Sequence, residues 1–201
     1  MLIGKTVVLG VTGSIAAWQT PEIVGRLRDL MINVYCIMTK SATEFITPLT
    51  LQVSSQNPVT VDMFERRREW NIAHIALADI ADLFLIAPAT ANTIAKIASG
   101  IADDILSTTV LATKAPVVIA PAMNPNMYSN QFTQSNIQKL KQRGYHFIDP
   151  EYGKTACGTE GVGRLARIPV IINRVINLLE MKDKSAIALV KGERLTDGTC
   201  D

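Results

Sequence analysis

This 201-residue chain has few histidines, few cysteines and a small net charge, and each of these features argues against a class of function. The two histidines, His74 and His146, are too few for a histidine-rich metal site, and the three cysteines are odd in number and widely spaced. Cysteines used in this way indicate reduced thiols and argue against a disulfide framework or a zinc site. A formal net charge of +2 argues against a nucleic-acid-binding surface and against a polybasic membrane surface.

Long apolar runs and leader-like features are missing as well. No apolar run approaches the roughly 20 residues that span a bilayer, and because the sequence enters a strand pattern at Lys5–Gly10, we expect no signal peptide. We therefore expect a cytoplasmic protein with no membrane and no nucleic-acid partner. The chain has no internal repeat and no Gly/Ser linker, and its 48% hydrophobic residues suffice for one globular domain.

The chain does contain short apolar runs that alternate with longer amphipathic stretches. Such runs predict strands over Thr6–Gly10, Asn33–Met38, Leu83–Ala87, Val117–Ala120 and His146–Ile148. Continuous apolar strands separated by helices indicate a parallel sheet that is covered on both faces. The predicted fold is a single α/β domain with a Rossmann-like, doubly wound parallel sheet.

Helices are predicted between these strands, and the last helix sets the expected domain boundary. The amphipathic pattern predicts them over Trp18–Leu30, Ser41–Phe45, Thr47–Val53, Thr93–Ile97, Ile105–Thr113, Thr133–Arg143 and Ile168–Met181, with a further helix that ends at Ala78–Asp82. Beyond the last helix the periodicity stops. This predicts a domain over residues 1–182 and a poorly ordered tail over residues 183–201.

Ligands bind doubly wound sheets at the carboxyl ends of the strands, so function is expected in the loops that follow Gly10, Met38, Ala87 and Ala120. The first loop, Gly10–Ala16, has two glycines and two hydroxyls that suit a phosphate at a helix N-terminus. The dinucleotide fingerprint is absent, because Ile15 or Ala16 stands at the third glycine position. This favours a mononucleotide over NAD, and a tight turn alone is the alternative.

Two further segments offer small and hydroxylated side chains. Pro88–Thr93 lets a flat ring or a phosphate approach closely, although Asn92 or Thr93 could serve only as a helix N-cap. Asp104–Thr109 has three hydroxyls at a predicted helix start and is a second candidate phosphate cradle.

Three side chains stand out as candidates for chemistry. Asn124 lies among prolines and methionines in Pro121–Tyr128, where a rigid amide can bind a carboxylate without bringing a charge; a plain proline-rich loop is the alternative. His74 is flanked by apolar residues, which fits either a buried structural histidine or a general base. Cys157 lies in a glycine-rich segment that predicts a mobile loop able to close over a site, whereas Cys36 lies within a strand.

Together these motifs resemble the flavin-dependent cysteine decarboxylases, and most of all the phosphopantothenoylcysteine decarboxylases, including the decarboxylase half of the bifunctional bacterial enzyme of coenzyme A biosynthesis. The resemblance runs from about Lys5 to Leu179 and rests on Gly13–Ala17, Phe45–Leu49, His74-Ile75, Pro88–Thr93, Pro121–Tyr128, Ala156–Gly158 and Gly161–Arg164. It implies FMN as the cofactor, a phosphorylated cysteine conjugate as the substrate, and a homotrimer, or a dodecamer built from trimers, with FMN between subunits.

The resemblance also implies roles for individual residues. FMN contacts are implied for Gly13, Ser14, Ile15, Thr39, Pro88, Ala89, Thr90, Asn92, Ser107 and Thr108. His74 is implied as the catalytic base, Asn124 as the residue that holds the substrate carboxylate, and Cys157 as the proton donor of a reductive last step. Substrate contacts are further implied for Met127, Ala156 and Arg164.

Other functions of related chemistry remain open. A peptidyl-cysteine decarboxylase would stop at the enethiol, and the Cys157 segment argues against it. A flavin prenyltransferase is disfavoured by the His74 and Asn124 motifs, and a non-catalytic regulatory flavoprotein subunit is disfavoured by the presence of all three residues. The bifunctional enzyme would continue into a synthetase, so we expect either a monofunctional protein or a part of a longer parent.

Overall fold

The central sheet consists of six parallel strands. The computed structural model describes residues 2–63 and 73–191 of the chain. The strands are β1 (Thr6–Val11), β2 (Asn33–Met38), β3 (Val59–Thr60), β4 (Leu83–Ala89), β5 (Val117–Pro121) and β6 (His146–Phe147). They lie in the order β3-β2-β1-β4-β5-β6, and every neighbouring pair is parallel. The predicted single-domain, doubly wound parallel sheet is confirmed.

Helices cover both faces of this sheet. They are α1 (Thr20–Asp29), α2 (Pro48–Ser55), α3 (Ala73–Ile80), α4 (Ala91–Ser99), α5 (Ile105–Ala112), α6 (Pro125–Ser129), α7 (Gln131–Gln142) and α8 (Ile168–Lys191), with 3-10 helices at Ile15–Gln19 and Lys40–Glu44. No helix in the described part of the chain is long and apolar enough to cross a membrane.

Alternate residues of β1 point into two separate cores. Val7 and Leu9 pack on one face with apolar residues of α1, α2 and α8. Val8 packs on the other face with residues of α4, α5 and α7, because successive side chains of a strand point in opposite directions. All seven residues of β4 are buried, which explains why this strand is a continuous apolar run in the sequence.

The position of β1 creates the crevice in which a ligand can bind. β1 pairs with β2 on one side and with β4 on the other, so the chain leaves the sheet centre in opposite directions after these two strands. The loops that follow β1 and β4 therefore diverge at the carboxyl edge. This is the topological switch point at which doubly wound sheets bind their ligands.

The segment predicted as a mobile loop around Cys157 forms a hairpin instead. Strands β7 (Glu151–Lys154) and β8 (Glu160–Arg164) pair antiparallel in a separate two-stranded sheet, with Cys157 in the connecting turn. The predicted loop is found only at the turn that carries Cys157; the strands on either side were not predicted because glycines interrupt both of them, and the mobility of the segment stays a prediction. Glycine has a low strand propensity and hides the alternating pattern by which a strand is recognised.

Most helix predictions differ from the structure by one or two residues at an end, and two differ by more. The helix predicted over Trp18–Leu30 consists of the 3-10 helix Ile15–Gln19 followed by α1, which has Pro21 in its first turn. The last helix does not end at Met181 but continues to Lys191, so the predicted boundary at residue 182 falls inside α8. Residues 192–201 lie outside the described residues, and the disorder expected for the tail stays a prediction.

Replacing Phe84 tests the second core. Phe84 is fully buried in β4, so Phe84→Ala should lower the free energy of unfolding by about 3–5 kcal/mol. The matched control is Phe132→Ala, since Phe132 is 73% exposed and its loss should change stability by no more than about 0.5 kcal/mol. Denaturant unfolding at one protein concentration measures both values, and equal losses in the two variants would contradict this packing.

Candidate functional site

Two adjoining cavities lie at the switch point. The first has a volume of about 590 Å³ and the second a volume of about 600 Å³, both within the range of small-molecule sites. They share three lining residues, of which Gly13 follows β1, Thr90 follows β4 and Met127 lies in α6 after β5. The two cavities therefore form one crevice along the carboxyl edge of the sheet, where the sequence predicted it.

The first cavity contains four of the predicted cofactor residues, namely Gly13, Thr39, Thr90 and Asn92. The Oγ1 atom of Thr39 is buried and has no hydrogen-bond partner among the described residues. A buried hydroxyl without a partner is unusual in a folded protein. This hydroxyl is therefore available to hydrogen-bond a polar ligand. Thr93 of the predicted Pro88–Thr93 segment also lines the cavity, whereas Lys40, Ser41 and Lys96 were not predicted as lining residues.

Close contact between the loops after β1 and β2 explains one glycine of the first loop. A Cβ atom added at Gly13 would lie 2.5 Å from the Cβ of Ser41, a distance that real Cβ atoms do not show. Glycine is thus required for the two loops to meet and form the cavity wall.

Thr12 connects the loops after β1 and β4. Its side chain is buried, its Oγ1 donates to the carbonyl oxygen of Pro88 at 2.7 Å, and it accepts from the backbone N–H of Thr90 at 3.0 Å. One hydroxyl therefore satisfies two backbone groups 76 and 78 residues away. The sequence showed a hydroxyl at the end of a strand but gave no sign that it binds protein instead of ligand.

The hydroxyl-rich start of α5, a predicted phosphate cradle, is capped by a carboxylate of the chain itself, and its binding of a phosphate stays a prediction. Asp104 caps the helix, with Oδ1 accepting from the backbone N–H of Ser107 at 2.8 Å, and the Ser107 hydroxyl donates to Asp104 in return. Burial raises the pKa of Asp104, but the hydrogen bonds from Ser107 and Lys96 outweigh burial and hold that pKa below its ordinary value. The helix N-terminus thus already holds a carboxylate, which disfavours a phosphate there.

Several predicted cofactor residues lie away from the crevice. Ser107 is buried, and the Thr108 hydroxyl donates to the carbonyl oxygen of Ala102 at 3.2 Å. Pro88 and Ala89 belong to the fully buried end of β4. None of these four residues lines either cavity, and the N-cap of α4 is Thr90, not Asn92 or Thr93.

The second cavity brings together every residue predicted to bind substrate. Its lining includes Asn124, Met127, Ala156, Cys157 and Arg164, together with Ser14 and Ile15 from the first loop. Three basic side chains lie along this cavity, and one of them, Arg167, donates to Glu151 at 2.7 Å. No described carboxylate lies within ion-pair distance of the other two, Lys154 and Arg164. The cavity is therefore suited to an anionic ligand.

The side chain of Asn124 is oriented by a backbone N–H group at the start of α6. Its Oδ1 accepts from the N–H of Asn126 at 2.8 Å and so caps α6, while its Nδ2 points to Sγ of Cys157 at 3.4 Å. Because the cap occupies the oxygen, the amide presents its two N–H groups to the second cavity. Asn124 consequently acts there as a neutral hydrogen-bond donor.

Cys157 lies among hydrogen-bond donors and is exposed. Its Sγ lies 3.1 Å from the Thr155 hydroxyl and 3.6 Å from the Thr159 hydroxyl, besides the Asn124 amide. The hydrogen bonds from Thr155, Thr159 and Asn124 lower the pKa of the Cys157 thiol to about 6. The group is therefore mostly a thiolate at neutral pH, and the Thr-x-Cys-x-Thr spacing is the sequence signal that could have revealed it.

The family model described as Flavoprotein matches residues 1–180. The chain belongs to the flavoprotein family. It is 46% identical over 175 residues to the coenzyme A biosynthesis bifunctional protein CoaBC of Escherichia coli strain K12, which covers 87% of this chain and 43% of that protein. The chain thus spans less than half the length of the curated relatives that it matches.

Solved structures of flavoproteins share this fold. A cysteine-to-serine mutant of PPC decarboxylase, complexed with pantothenoylaminoethenethiol, has a TM-score of 0.78 and 30% identity and covers 88% of this chain and 98% of its own. The FMN-dependent cysteine decarboxylase SpaF also has a TM-score of 0.78, with 31% identity over 90% of this chain and 98% of its own. The resemblance inferred from the motifs is confirmed.

His74 is the one predicted catalytic residue of this flavoprotein that a single chain does not bring to the crevice. It lies in α3, half-buried, and it is not among the residues that line either cavity. Its Nδ1 atom is buried without a hydrogen-bond partner in the described part of the chain. The Nδ1 atom is therefore available for a contact beyond the described residues.

The thiolate can be measured by the pH dependence of Cys157 alkylation. Iodoacetamide should modify Cys157 at half its maximal rate near pH 6, because only the thiolate reacts and the lowered pKa makes it abundant above that pH. Burial raises the pKa of Cys36 to about 12, so Cys36 should stay unmodified and serves as an internal control. Peptide mapping by mass spectrometry distinguishes the two sites.

Removing one donor should shift this profile upward. Asn124→Ser retains an oxygen that can cap α6 but loses the amide donor to sulfur. The alkylation midpoint should then move toward the ordinary cysteine pKa of about 8.5. A parent midpoint already near the ordinary value would show that these hydrogen bonds do not stabilise the thiolate.

Proposed function

We propose that this chain is an FMN-dependent carboxy-lyase that converts 4′-phosphopantothenoylcysteine to 4′-phosphopantetheine in coenzyme A biosynthesis. The pairing of the Asn124 amide with the Cys157 thiolate in the second cavity carries the proposal. The decarboxylase structure and the CoaBC proteins to which the chain is similar support this assignment.

The first cavity fits FMN. Its wall offers the unpartnered hydroxyl of Thr39, the close passage at Gly13 and the polar side chains of Thr90 and Asn92. Ser14 and Ile15 extend the same loop into the second cavity. When bound, FMN would remove two electrons from the cysteine side chain of the substrate and return them later. The removal would convert that side chain into a C=S group, which can accept the electrons of the departing carboxylate.

Asn124 is proposed to hold the carboxylate that leaves. Its N–H groups face the cavity because Oδ1 caps α6, and a neutral amide attracts a carboxylate less strongly than a cation does. This difference favours catalysis, since strong ground-state binding of the carboxylate would oppose its loss as carbon dioxide. Arg164 and Lys154 lie on the same cavity and suit the anionic phosphate of the substrate.

Cys157 is proposed to deliver the proton that completes the product. A thiolate cannot donate a proton, so the group must first be protonated. The Asn124 amide supplies one of the hydrogen bonds that lower the pKa of Cys157, and this bond weakens when Asn124 turns to the substrate carboxylate. Substrate binding should thereby raise the pKa of Cys157 and let the sulfur take up the proton that it later gives.

An oligomer would complete the site. His74 is proposed as the catalytic base, and because it does not line the cavities of its own chain, we infer that it acts at the crevice of a neighbouring copy. Ile15 and Trp18 line the second cavity but are 54% and 64% exposed. Exposed apolar side chains beside a site favour contact with another subunit, here in a homotrimer or a dodecamer of trimers.

A cytoplasmic location is part of the same proposal. Cys36 and Cys157 are both free thiols, as expected in a reducing compartment.

Thr12→Val tests the cofactor cradle. The substitution leaves the Pro88 carbonyl and the Thr90 N–H without their partner, at a cost of about 1–3 kcal/mol for a buried group. FMN affinity, measured by fluorescence quenching, should fall by about tenfold or more. Thr109→Val is the control, because that buried hydroxyl binds only within α5, to Ile105; equal affinities in the two variants would contradict the role of Thr12.

Cys157→Ser tests the reaction itself. With FMN and 4′-phosphopantothenoylcysteine under anaerobic conditions, the parent protein should release carbon dioxide and form 4′-phosphopantetheine. The variant should still release carbon dioxide but should leave a product that is lighter by two hydrogens, together with reduced flavin, since a serine hydroxyl is a far weaker acid than a thiol of ordinary pKa about 8.5. Mass spectrometry identifies both products.

The control for this experiment is Cys36→Ala, which removes the buried thiol of β2 and should leave the product unchanged. Ordinary product from Cys157→Ser at the parent rate would exclude the proposed proton transfer. A parent protein that itself stops at the enethiol would replace the proposal with a peptidyl-cysteine decarboxylase.

A further inference from the structure

The hairpin that carries Cys157 lies against the segment that carries Asn124. The backbone N–H of Met123 donates to the carbonyl oxygen of Gly163 at 2.9 Å, so β8 is bonded to the residue immediately before Asn124. Pro125, immediately after Asn124, begins α6. The thiol and the amide therefore belong to two segments that are bonded to each other next to Asn124.

Glycines on the hairpin make this contact possible. A Cβ atom added at Gly163 would lie 2.3 Å from the carbonyl oxygen of Met123 and 3.2 Å from the backbone nitrogen of Pro125. A Cβ atom at Gly161 would lie 2.8 Å from Cβ of Pro125. At Gly163 the obstacles are backbone atoms on both sides of Asn124, which cannot move without moving Asn124 itself.

We propose that Gly163, assisted by Gly161, is a positioning residue for the reaction: its bare backbone seats the β7–β8 hairpin on Met123–Pro125 and so sets the distance between Cys157 and Asn124. The role in the reaction rests on the proposed function, whereas the distance itself does not. The glycines of this segment thus serve a close approach of two backbones, and the predicted mobility of the segment stays a prediction.

A ladder of paired residues connects Gly163 with the turn that carries the sulfur. Gly161 pairs with Gly153, and Glu160 pairs with Lys154 at the end of the ladder. The turn is then closed by the Thr155 N–H, which donates to the Thr159 carbonyl oxygen at 2.8 Å. A displacement of β8 therefore moves the turn and Cys157 with it.

The size of the displacement decides the effect. Relieving the contact of 2.3 Å requires a movement of about 1 Å, because real Cβ atoms essentially never approach another atom below 3.0 Å. The Cys157–Asn124 hydrogen bond is already 3.4 Å long and would not survive it. Misplacing a reacting group by about 1 Å can lower a rate by about a hundredfold.

The first experiment measures alkylation of Cys157 in Gly163→Ala and requires neither FMN nor substrate. The midpoint pH of alkylation should rise toward that of Asn124→Ser. In the double variant Gly163→Ala, Asn124→Ser the midpoint should equal that of Asn124→Ser alone, since both changes remove the same contact. An unchanged midpoint in Gly163→Ala, or fully additive shifts in the double variant, would overturn the proposal.

Three further variants separate positioning from general damage to the hairpin. Gly25→Ala, with nothing within 4 Å of the added Cβ, controls for the substitution itself, and Val162→Ala controls for altering the exposed face of β8. Both should keep the parent midpoint. If Gly163→Ala fails to fold, Gly161→Ala decides the question: its added Cβ meets the side chain of Pro125 at a backbone φ of +156° that already disfavours a side chain, so the midpoint should rise, and an unchanged midpoint refutes the proposal.

The second experiment uses the enzyme with FMN and substrate. Gly163→Ala should still release carbon dioxide, but formation of the reduced product should slow by about a hundredfold and the enethiol should accumulate. Equal slowing of both steps would indicate a merely structural role and contradict the proposal. If the parent protein does not process this substrate, the proposed function fails, while the alkylation experiment still decides whether Gly163 sets the contact.

Discussion

The pairing of β1 with β2 on one side and β4 on the other is the constraint on which the crevice depends, because it makes the loops diverge at the carboxyl edge of the sheet. Divergence alone leaves two loops without mutual support. The buried hydroxyl of Thr12 supplies that support by bonding to Pro88 and to Thr90 at once. A cofactor cavity can therefore be preformed, with its walls held by protein groups before any ligand arrives.

Most of the fold was predictable because its strands are buried on both faces. β2 was predicted with its observed bounds, and the predictions for β1, β4 and β5 ended one or two residues early, since a continuous apolar run is what a covered parallel strand requires. The placement of the crevice followed from the same pattern. The loops after the strands indeed carry Gly13, Thr90 and Asn124, because a parallel sheet sends all its carboxyl ends to one edge.

The remaining features of the site and of the hairpin depend on contacts that the sequence pattern does not reveal. A hydroxyl in a sequence can bind a phosphate or help to cap a helix, and Ser107 proved to complete the capping box that Asp104 forms at α5. The partners of Thr12 lie 76 and 78 residues away, beyond any local pattern. Glycines concealed the strands of the hairpin. The position of His74 away from both cavities depends on the three-dimensional fold and cannot be read from the sequence.

Asn124 and Gly163 illustrate two different limits on variation at one contact. The oxygen of Asn124 caps α6 and its nitrogen faces the cavity. Substitutions at this position would therefore change stability and the properties of the site separately. Side chains that cap a helix would preserve folding while losing the donor. At Gly163 the limit is volume, because no side chain of any chemistry fits beside the Met123 carbonyl. Tolerance at the first position is therefore graded by the chemistry of the side chain, and at the second by its volume.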